Sequence, residues 1–249
     1  HDCELNSVKC YHLLMVKISR YSVEKFINCP RCCVLEVKYK IRQNTIPFTL
    51  NIAVDNLCKN EFDHYREKQE PHPLFLEHDI DAVPFKHPDI DDWRNNFRGI
   101  RYISEEHQYN FGGAIDDVWQ KPNGQLIISD VKTTAKQEFD WDETYKYPYA
   151  KGYQRQLEMY QWLFKMNGYD VAPEAYIIYY NGKKNESSFD RKLEFDEHVI
   201  KLDCSTDWVE EKVIETAKTI QSDELPKPSS TCETCNYLKK RWDIKQVIN

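Results

Sequence analysis

Glycine is scarce in this sequence, and long hydrophobic runs are missing. Only 7 of the 249 residues are glycine, whereas 13% are aromatic, and this combination argues against a disordered chain. No apolar run approaches the roughly 20 residues that a membrane-spanning helix needs. The apolar stretch at residues 13–16 is too short for the core of a signal peptide. We therefore expect a soluble, cytoplasmic protein with no membrane partner.

An excess of positive charge is also missing. The sequence has 34 lysines and arginines against 41 acidic residues, which gives a formal charge of −7. This balance argues against a general nucleic-acid coat. It is compatible with a nuclease, because a catalytic metal site needs acidic residues and a local basic groove can still hold phosphate. We expect modest affinity for nucleic acid when no divalent metal is present.

The nine cysteines favour metal binding over a disulfide framework, because the count is odd and no secretion signal is found. Two C-x-x-C pairs stand near opposite ends of the chain, Cys29 with Cys32 and Cys232 with Cys235. Each pair places two sulfurs at chelating distance on one turn. Together they predict one four-thiolate site that ties residues 226–240 back to residues 22–35. The alternative is two unrelated turns with free thiols.

Residues 112–134 predict a β-hairpin around which the other elements are organised. The loop at residues 121–125, KPNGQ, suits a three-residue connection. Pro122 presets φ for a type I turn, and Gly124 takes the left-handed position of a G1 bulge. A two-residue Asn-Gly loop would shift the register by one position.

The three-residue loop places Asp116 opposite Asp130, whereas the shorter loop would oppose Asp117 to Asp130. In the first register, Lys132 lies on the same face as Asp116 and Asp130. Opposed carboxylates repel, and a hard divalent cation is the natural compensation. A lysine beside them can hold an attacking water or stabilise charge on a phosphate. The competing interpretation is a solvent-facing hairpin with ordinary surface charges.

These motifs resemble a known family. Asp116 followed by Asp130-Val131-Lys132 resembles the D…(D/E)-x-K signature of the PD-(D/E)XK nuclease superfamily. Gln156 and Tyr160 resemble the Q-x-x-x-Y motif of its RecB-type branch. With the bracketing cysteines, the chain is similar to the nucleases whose domain is stapled by a metal cluster, such as CRISPR-associated adaptation nucleases and AddB-type nucleases. The resemblance covers roughly residues 22–237.

The resemblance implies an α/β fold with a restriction-endonuclease-like core, in which a mixed β-sheet is flanked by helices and the termini are joined by the four-cysteine site. The periodicity of the sequence alone predicts only a mixed α/β protein. A single nuclease domain over residues 1–249 is expected. Relatives usually bind a [4Fe–4S] cluster with one N-terminal and three C-terminal cysteines. The two-plus-two arrangement here suits tetrahedral Zn²⁺ at least as well, so zinc and iron–sulfur both stay open.

The resemblance also implies the roles of the site residues. Mg²⁺ or Mn²⁺ would be held by Asp116, Asp130 and the Val131 carbonyl, with Glu61 or His64 of the preceding helix as a further ligand. A solvated charged face is the alternative for Glu61 and His64. The residues that would act in catalysis are Asp116, Asp130, Lys132, Gln156 and Tyr160.

DNA, as single strands or duplex ends, is the expected partner. Arg94, Arg98 and Arg101, interleaved with aromatics, are candidates for phosphate contacts, although a surface element with buried aromatics fits equally well. Lys151 and Arg155 lie beside the glutamine motif. The expected activity is that of a metal-dependent deoxyribonuclease, by preference an exonuclease. A non-catalytic nucleic-acid-binding subunit and a zinc-stapled interaction module are the alternatives. RNA stays open as a substrate, as do CRISPR adaptation, recombination repair and phage replication as pathways.

Hydrophobic spacing predicts the remaining elements. Helices are expected at residues 48–68, 153–167 and 208–221, and a buried strand at 175–180 that turns at Asn181-Gly182. The weaker signals are an edge strand within 11–18, a short helix from an N-cap at Ser22 through residue 28, a surface excursion at 71–92, a loop at 133–149 and a strand pair at 189–201.

Overall fold

The structure, a computed structural model, describes residues 15–44, 46 and 48–248. Over these residues the chain forms two compact units. The first contains the segments before residue 46, residues 101–112 and residues from 208 onward, and the second contains residues 46–100 and 113–207. The single-domain assignment of residues 1–249 stays a prediction. None of the helices in the described ranges combines the length and the apolar character that crossing a bilayer requires.

The elements are numbered in chain order. The strands are β1 (Val16–Ser19), β2 (Val83–Pro84), β3 (Ile100–Ser104), β4 (Tyr109–Gly113), β5 (Asp117–Gln120), β6 (Leu126–Thr134), β7 (Val171–Gly182) and β8 (Phe195–Asp203). The helices are α1 (Arg20–Asn28), α2 (Pro30–Val37), α3 (Thr49–Lys68), α4 (Pro73–Glu77), α5 (Ile90–Arg94), α6 (Trp141–Tyr145), α7 (Pro148–Met166), α8 (Val209–Gln221) and α9 (Glu233–Ile248).

The first unit contains a three-stranded sheet in the order β1-β4-β3. β1 pairs in parallel with β4 at the sheet edge, which agrees with the edge strand expected in this region, although residues 11–14 lie outside the described residues. α1 begins earlier than predicted, because Ser19 rather than Ser22 is its N-cap. The Ser19 hydroxyl accepts the N–H of Ser22 at 3.1 Å, and the Ser22 hydroxyl accepts the N–H of Ser19 at 3.3 Å, which completes a capping box.

The second unit contains a five-stranded sheet in the order β2-β5-β6-β7-β8. β5 and β6 form an antiparallel hairpin, β6 and β7 are parallel, and β7 and β8 are antiparallel. The parallel pair needs a crossover, and α6 and α7 supply it. α3 packs against β2 and β6, and α7 packs against β6 and β7. The expected mixed sheet flanked by helices is confirmed.

The hairpin has the predicted register. Asp117 pairs with Ser129, and the Lys121 N–H donates to the Gln125 carbonyl at 2.9 Å. Gly124 has φ of +89°, the conformation that a residue with a Cβ adopts only with strain. Extending this register by one residue sets Asp116, which precedes β5, opposite Asp130, and the two-residue loop is excluded.

Residues 71–92, expected as a surface excursion, instead contribute to the core of the second unit. Leu74 and Phe75 of α4 are buried and pack with Phe62 of α3 and with Trp119 of β5. The ring centroids of Phe75 and Trp119 are 4.5 Å apart. The apolar residues of this segment stand next to prolines and acidic residues, which hides their periodicity in the sequence. The segment closes one face of the sheet beneath the hairpin.

Three predicted boundaries are wrong around α7 and β7. The loop expected at 133–149 contains the end of β6, all of α6 and the start of α7, which begins at Pro148 because proline is well accommodated in the first helical turn. Asn181-Gly182 does not turn the chain. The Asn181 side chain accepts from the Lys136 N–H at 2.8 Å and donates to the Lys136 carbonyl at 3.2 Å, which keeps it in β7. The strand pair expected at 189–201 is the single strand β8.

Candidate active site

The carboxylates of Asp116 and Asp130 converge at the open end of the hairpin. Asp116 Oδ2 accepts the backbone N–H of Val131 at 2.9 Å. Asp130 is only 1% exposed, and its Oδ1 accepts from Gln156 Nε2 at 2.6 Å. Its Oδ2 forms an ion pair with Lys132. The segment before β5, strand β6 and helix α7 thus bring these groups to one point, and their roles in catalysis stay a prediction.

Burial and neighbouring charges separate the pKa values of the two carboxyl groups. Burial, reinforced by the Asp116 charge, raises the pKa of Asp130 to about 7 despite the opposing charge of Lys132. Burial also acts to raise the pKa of Asp116, but the charges of Lys132 and Lys59 outweigh it and lower that pKa. Two interacting carboxyl groups share their protons in this way. Near neutral pH the pair therefore holds charge for a cation on Asp116 and a titrating proton on Asp130.

Helix α3 adds two charged groups that the sequence analysis missed. Lys59 Nζ lies 2.6 Å from Asp55 Oδ2 and 3.5 Å from Asp116 Oδ1. Burial, followed by the charge of Asp116, raises the pKa of Asp55. Asp55 and Lys59 share a face of the helix because they are four residues apart. The i, i+4 spacing is visible in the sequence, but α3 carries charged residues on more than one face.

The two candidates for a further metal ligand, Glu61 and His64, are placed elsewhere. Glu61 is exposed and its Oε1 lies 3.3 Å from Nε2 of the buried His72. The exposed His64 makes an edge contact with the ring of Tyr65. At about 100° per residue, His64 projects from the side of α3 opposite Asp55. The face of α3 that meets Asp116 carries Asp55. The assignment of Glu61 or His64 as a further metal ligand stays a prediction.

The glutamine motif lies on the buried face of α7. Gln156 Nε2 lies 3.4 Å from the hydroxyl of Tyr160 in addition to its bond with Asp130. Tyr160 is itself buried. Gln156 therefore fixes the orientation of Asp130, and Tyr160 contacts Gln156.

Asp117, next to Asp116 in sequence, faces the opposite side of the strand and belongs to a buried ion-pair cluster. Its Oδ1 lies 2.5 Å from Arg66 Nη2, and its Oδ2 lies 2.9 Å from Arg94 Nη2. Arg94 also binds Asp63 at 2.7 Å and donates from Nε to the carbonyl of Asp116 at 3.1 Å. The cluster therefore holds the backbone at the point where Asp116 leaves the sheet.

This arrangement corrects the expectation for Arg94, whose guanidinium is engaged inside the protein and is not available to a phosphate. Arg98 is exposed and pairs with Asp92 at 2.9 Å. Arg101 is half-buried in the first unit and donates to Asn110 Oδ1 at 2.5 Å. Lys151 is exposed in the first turn of α7, and Arg155 is half-buried one turn further on. Each of the three arginines thus has a polar partner within its own unit.

The four predicted cysteines meet within the first unit. The Sγ–Sγ distances are 3.9 Å for Cys29–Cys235, 3.6 Å for Cys32–Cys232 and 3.4 Å for Cys32–Cys235, and all four sulfurs lie within 4.8 Å of one another. The Ser229 N–H lies 3.5 Å from Cys29 Sγ. Although burial acts in the opposite direction, hydrogen bonds from the backbone of Cys32 and Ser229 lower the pKa of Cys29 to about 7. The cluster has the donor set and the spacing of a metal site.

Comparison with known proteins identifies the family. The family model of the PD-(D/E)XK nuclease superfamily matches residues 49–239, well over half of the chain. The chain belongs to this superfamily, whose members are generally metal-dependent nucleases. A search of curated proteins gave no match. A solved structure described as "Crystal structure of SSO0001" is 16% identical over 85% of this chain and 78% of that chain, with a TM-score of 0.38, and it carries no argument at that level of similarity.

The opposite roles of Asp116 and Asp117 predict opposite effects on stability. Asp117→Asn leaves the buried guanidinium groups of Arg66 and Arg94 undercompensated and should lower the free energy of unfolding by about 3 kcal/mol. Asp116→Asn keeps an acceptor for the Val131 N–H, and the loss of its attraction to Lys59 and Lys132 is offset by the removal of repulsion from Asp130, so the change should stay below about 1 kcal/mol. Urea denaturation in buffer without Mg²⁺ or Mn²⁺ measures both. Equal destabilisation by the two variants would contradict this division.

Proposed function

We propose that this chain is a deoxyribonuclease that hydrolyses phosphodiester bonds with Mg²⁺ or Mn²⁺. The observation that carries the proposal is the convergence of one buried carboxylate, one partly buried carboxylate and one lysine ammonium on a single point at the edge of the hairpin. Two adjacent carboxylates, one of them buried, are unfavourable on their own, whereas a divalent cation is stabilised by such an arrangement. A non-catalytic binding subunit would have no physical need for it.

The donor set suits a hard cation. Asp116 and Asp130 offer carboxylate oxygens, and Asp55 and the Val131 carbonyl are the further candidates, so every donor is oxygen. When bound, the metal would polarise the phosphodiester and neutralise the charge that develops on it. Mg²⁺ and Mn²⁺ both accept such ligands, and the remaining positions would be open to water and to phosphate oxygens.

The surrounding side chains position the reacting groups. Lys132 lies on the face of β6 that carries Asp130, where its ammonium can hold the attacking water or a phosphate oxygen. The Gln156 amide holds Asp130 in one orientation. Lys59 offers a second ammonium beside Asp116, which balances the negative charge of the site before the cation binds. Together these groups preorganise the site for phosphoryl transfer.

The Gln156-to-Tyr160 motif supports a RecB-type nuclease, and with it a preference for cutting from the ends of DNA. No separate observation favours the alternatives of a binding subunit or an interaction module. End-labelled substrates distinguish the modes of cutting, because an exonuclease releases label progressively and an endonuclease gives internal fragments from the start.

Replacing the active-site lysine tests the proposed activity. Lys132→Ala should lower the rate of DNA cleavage in Mn²⁺ by at least about a hundredfold, because one preorganised charge is lost from the reacting centre. Asp116→Ala should abolish cleavage, since it removes a metal ligand. Gel analysis of end-labelled single-stranded and duplex DNA measures both effects.

The matched control is Lys121→Ala on the same hairpin. Lys121 forms a partly exposed ion pair with Glu174 at 2.6 Å, and such pairs contribute little to stability. Its removal should leave the cleavage rate within about twofold of the native value, as expected for a surface substitution outside the site. A native rate in Lys132→Ala would refute the role of that lysine, and no cleavage by the native chain would refute the proposed function.

The choice of Asp55 over Glu61 as a further ligand predicts different metal affinities. Asp55→Asn should weaken Mn²⁺ binding by about tenfold or more, a size typical for groups that support a metal site. Glu61→Gln should leave the affinity unchanged, because its carboxylate faces His72. Isothermal titration with Mn²⁺ in the absence of DNA measures both, with Asp116→Ala as the reference for a lost ligand. The reverse order of effects would restore Glu61 as the ligand.

We further propose that the four cysteines bind one Zn²⁺ ion. Zinc–sulfur bonds of about 2.3 Å in a tetrahedron give sulfur–sulfur distances of about 3.8 Å. Three of the sulfur pairs lie 3.4–3.9 Å apart, and all four sulfurs lie within 4.8 Å of one another. A [4Fe–4S] cluster binds each thiolate at a separate iron, which requires the sulfurs to stand farther apart. The N–H of Ser229 directed at Cys29 is an outer contact of the kind that stabilises a metal-bound thiolate.

Metal analysis of protein purified without oxygen tests this assignment. The native chain should contain about one zinc per molecule and no visible iron–sulfur absorption. Cys232→Ala should lose the zinc and melt at a lower temperature, because the ion joins the ends of the first unit. Cys204→Ala, a half-buried cysteine outside the cluster, should retain it. Stoichiometric iron in the native protein would reverse the choice.

A further inference from the structure

Three tyrosines run outward from the catalytic lysine along the start of α7. Lys132 Nζ lies 4.9 Å from the centre of the Tyr153 ring. The Tyr153 ring meets Tyr149 edge-on at 5.8 Å, and Tyr149 stacks on Tyr147 at 5.7 Å with only 17° between the planes. We call these three residues the tyrosine ladder.

Exposure increases along the tyrosine ladder away from Lys132. Tyr153 is half-buried, Tyr149 is 45% exposed, and Tyr147 is 56% exposed. Neither outer ring is covered by the core, although each offers the large apolar surface that aromatic residues normally bury. The inner end of the ladder contacts the lysine of the proposed active site, and the outer end reaches solvent.

The charges around the outer rings suit a polyanion. The exposed Lys151 lies in the first turn of α7, and Lys146, which pairs with Glu143, directly precedes Tyr147. The first turn of α7 contains no acidic residue, and no side chain caps its N-terminus. The positive end of the helix dipole favours a negative ligand. Two lysines thus flank the two outer rings over residues 146–151.

We infer that the tyrosine ladder is a base-stacking subsite for a single-stranded segment of nucleic acid that leads to the scissile phosphate. This inference rests on the proposed nuclease function and specifies its substrate. Unpaired bases stack on aromatic side chains whatever their sequence, while a basic groove follows the phosphates. In a duplex the bases stack on one another and offer no free face to Tyr147 or Tyr149. The ladder therefore selects an unpaired strand at the active site.

Binding measurements test the subsite without cleavage. Fluorescence anisotropy in Ca²⁺ would measure the affinity for three labelled substrates. They are a 12-nucleotide single strand, the blunt duplex of the same sequence, and a single strand whose central nucleotides lack their bases. The double variant Tyr147→Ala/Tyr149→Ala should bind the single strand at least about tenfold more weakly than the native chain, equivalent to about 1.4 kcal/mol. Its duplex affinity should change by less than about twofold, since the duplex offers no unpaired bases to stack.

Two controls separate stacking from other effects. Tyr147→Phe/Tyr149→Phe keeps the rings and should bind the single strand as the native chain does. Tyr39→Ala removes a tyrosine of the first unit that is 48% exposed and should change nothing. The native chain should already bind the abasic strand weakly, and the double alanine variant should lose no further affinity for it, because no bases remain to stack.

Each outcome has a defined meaning. Unchanged single-strand affinity in the double alanine variant, equal losses for single strand and duplex, or failure of the phenylalanine rescue would each overturn the subsite. An RNA strand of the same sequence tests which sugar is accepted, since stacking alone does not distinguish the two. If the predicted binding pattern appears but the native chain cleaves no strand in Mn²⁺, the subsite stands and the proposed hydrolysis fails.

Discussion

The repulsion between Asp116 and Asp130 is the constraint on which the second unit depends. Antiparallel pairing sets these carboxylates opposite one another, and burial strengthens their interaction. Three elements supply compensating groups: the Lys132 ammonium from β6, the Lys59 ammonium from α3, and the Gln156 amide from α7. The sheet order and the helix positions thus bring together the groups that compensate this repulsion. A bound divalent cation would compensate it too.

Two kinds of positive group perform two different tasks on either side of β5. The guanidinium groups of Arg66 and Arg94 bind Asp117 in fixed, multidentate geometry, which suits a permanent structural contact. The ammonium groups on the other side are single point charges on flexible stems, which can exchange one acidic partner for a phosphate or move aside for a cation. The neighbouring residues Asp116 and Asp117 therefore belong to different environments: Asp117 makes structural ion pairs, and Asp116 lies in the proposed active site.

The sequence could predict the hairpin register because short-range rules decide it. Pro122 and Gly124 select the loop, and the loop determines which carboxylates are opposed. The face of α3 could not be predicted, since Asp55 and Glu61 are both acidic and only tertiary packing chooses between them. Arg94 was misjudged for a similar reason: its partners, Asp63 and Asp117, are 31 and 23 residues away. Structure set by residues close in sequence could be predicted, whereas the partners of side chains that are distant in sequence could not.

The two candidate metal sites differ in donor chemistry, and this difference would lead them to select different metal ions. The site in the second unit offers only oxygen donors, which favour Mg²⁺ or Mn²⁺ held weakly together with water. The site in the first unit offers four thiolates, which favour a softer ion held tightly. Exchange of the weakly bound ion would therefore leave the thiolate-bound ion in place. A chain with both kinds of site can thus use one metal for chemistry and another to hold its ends together.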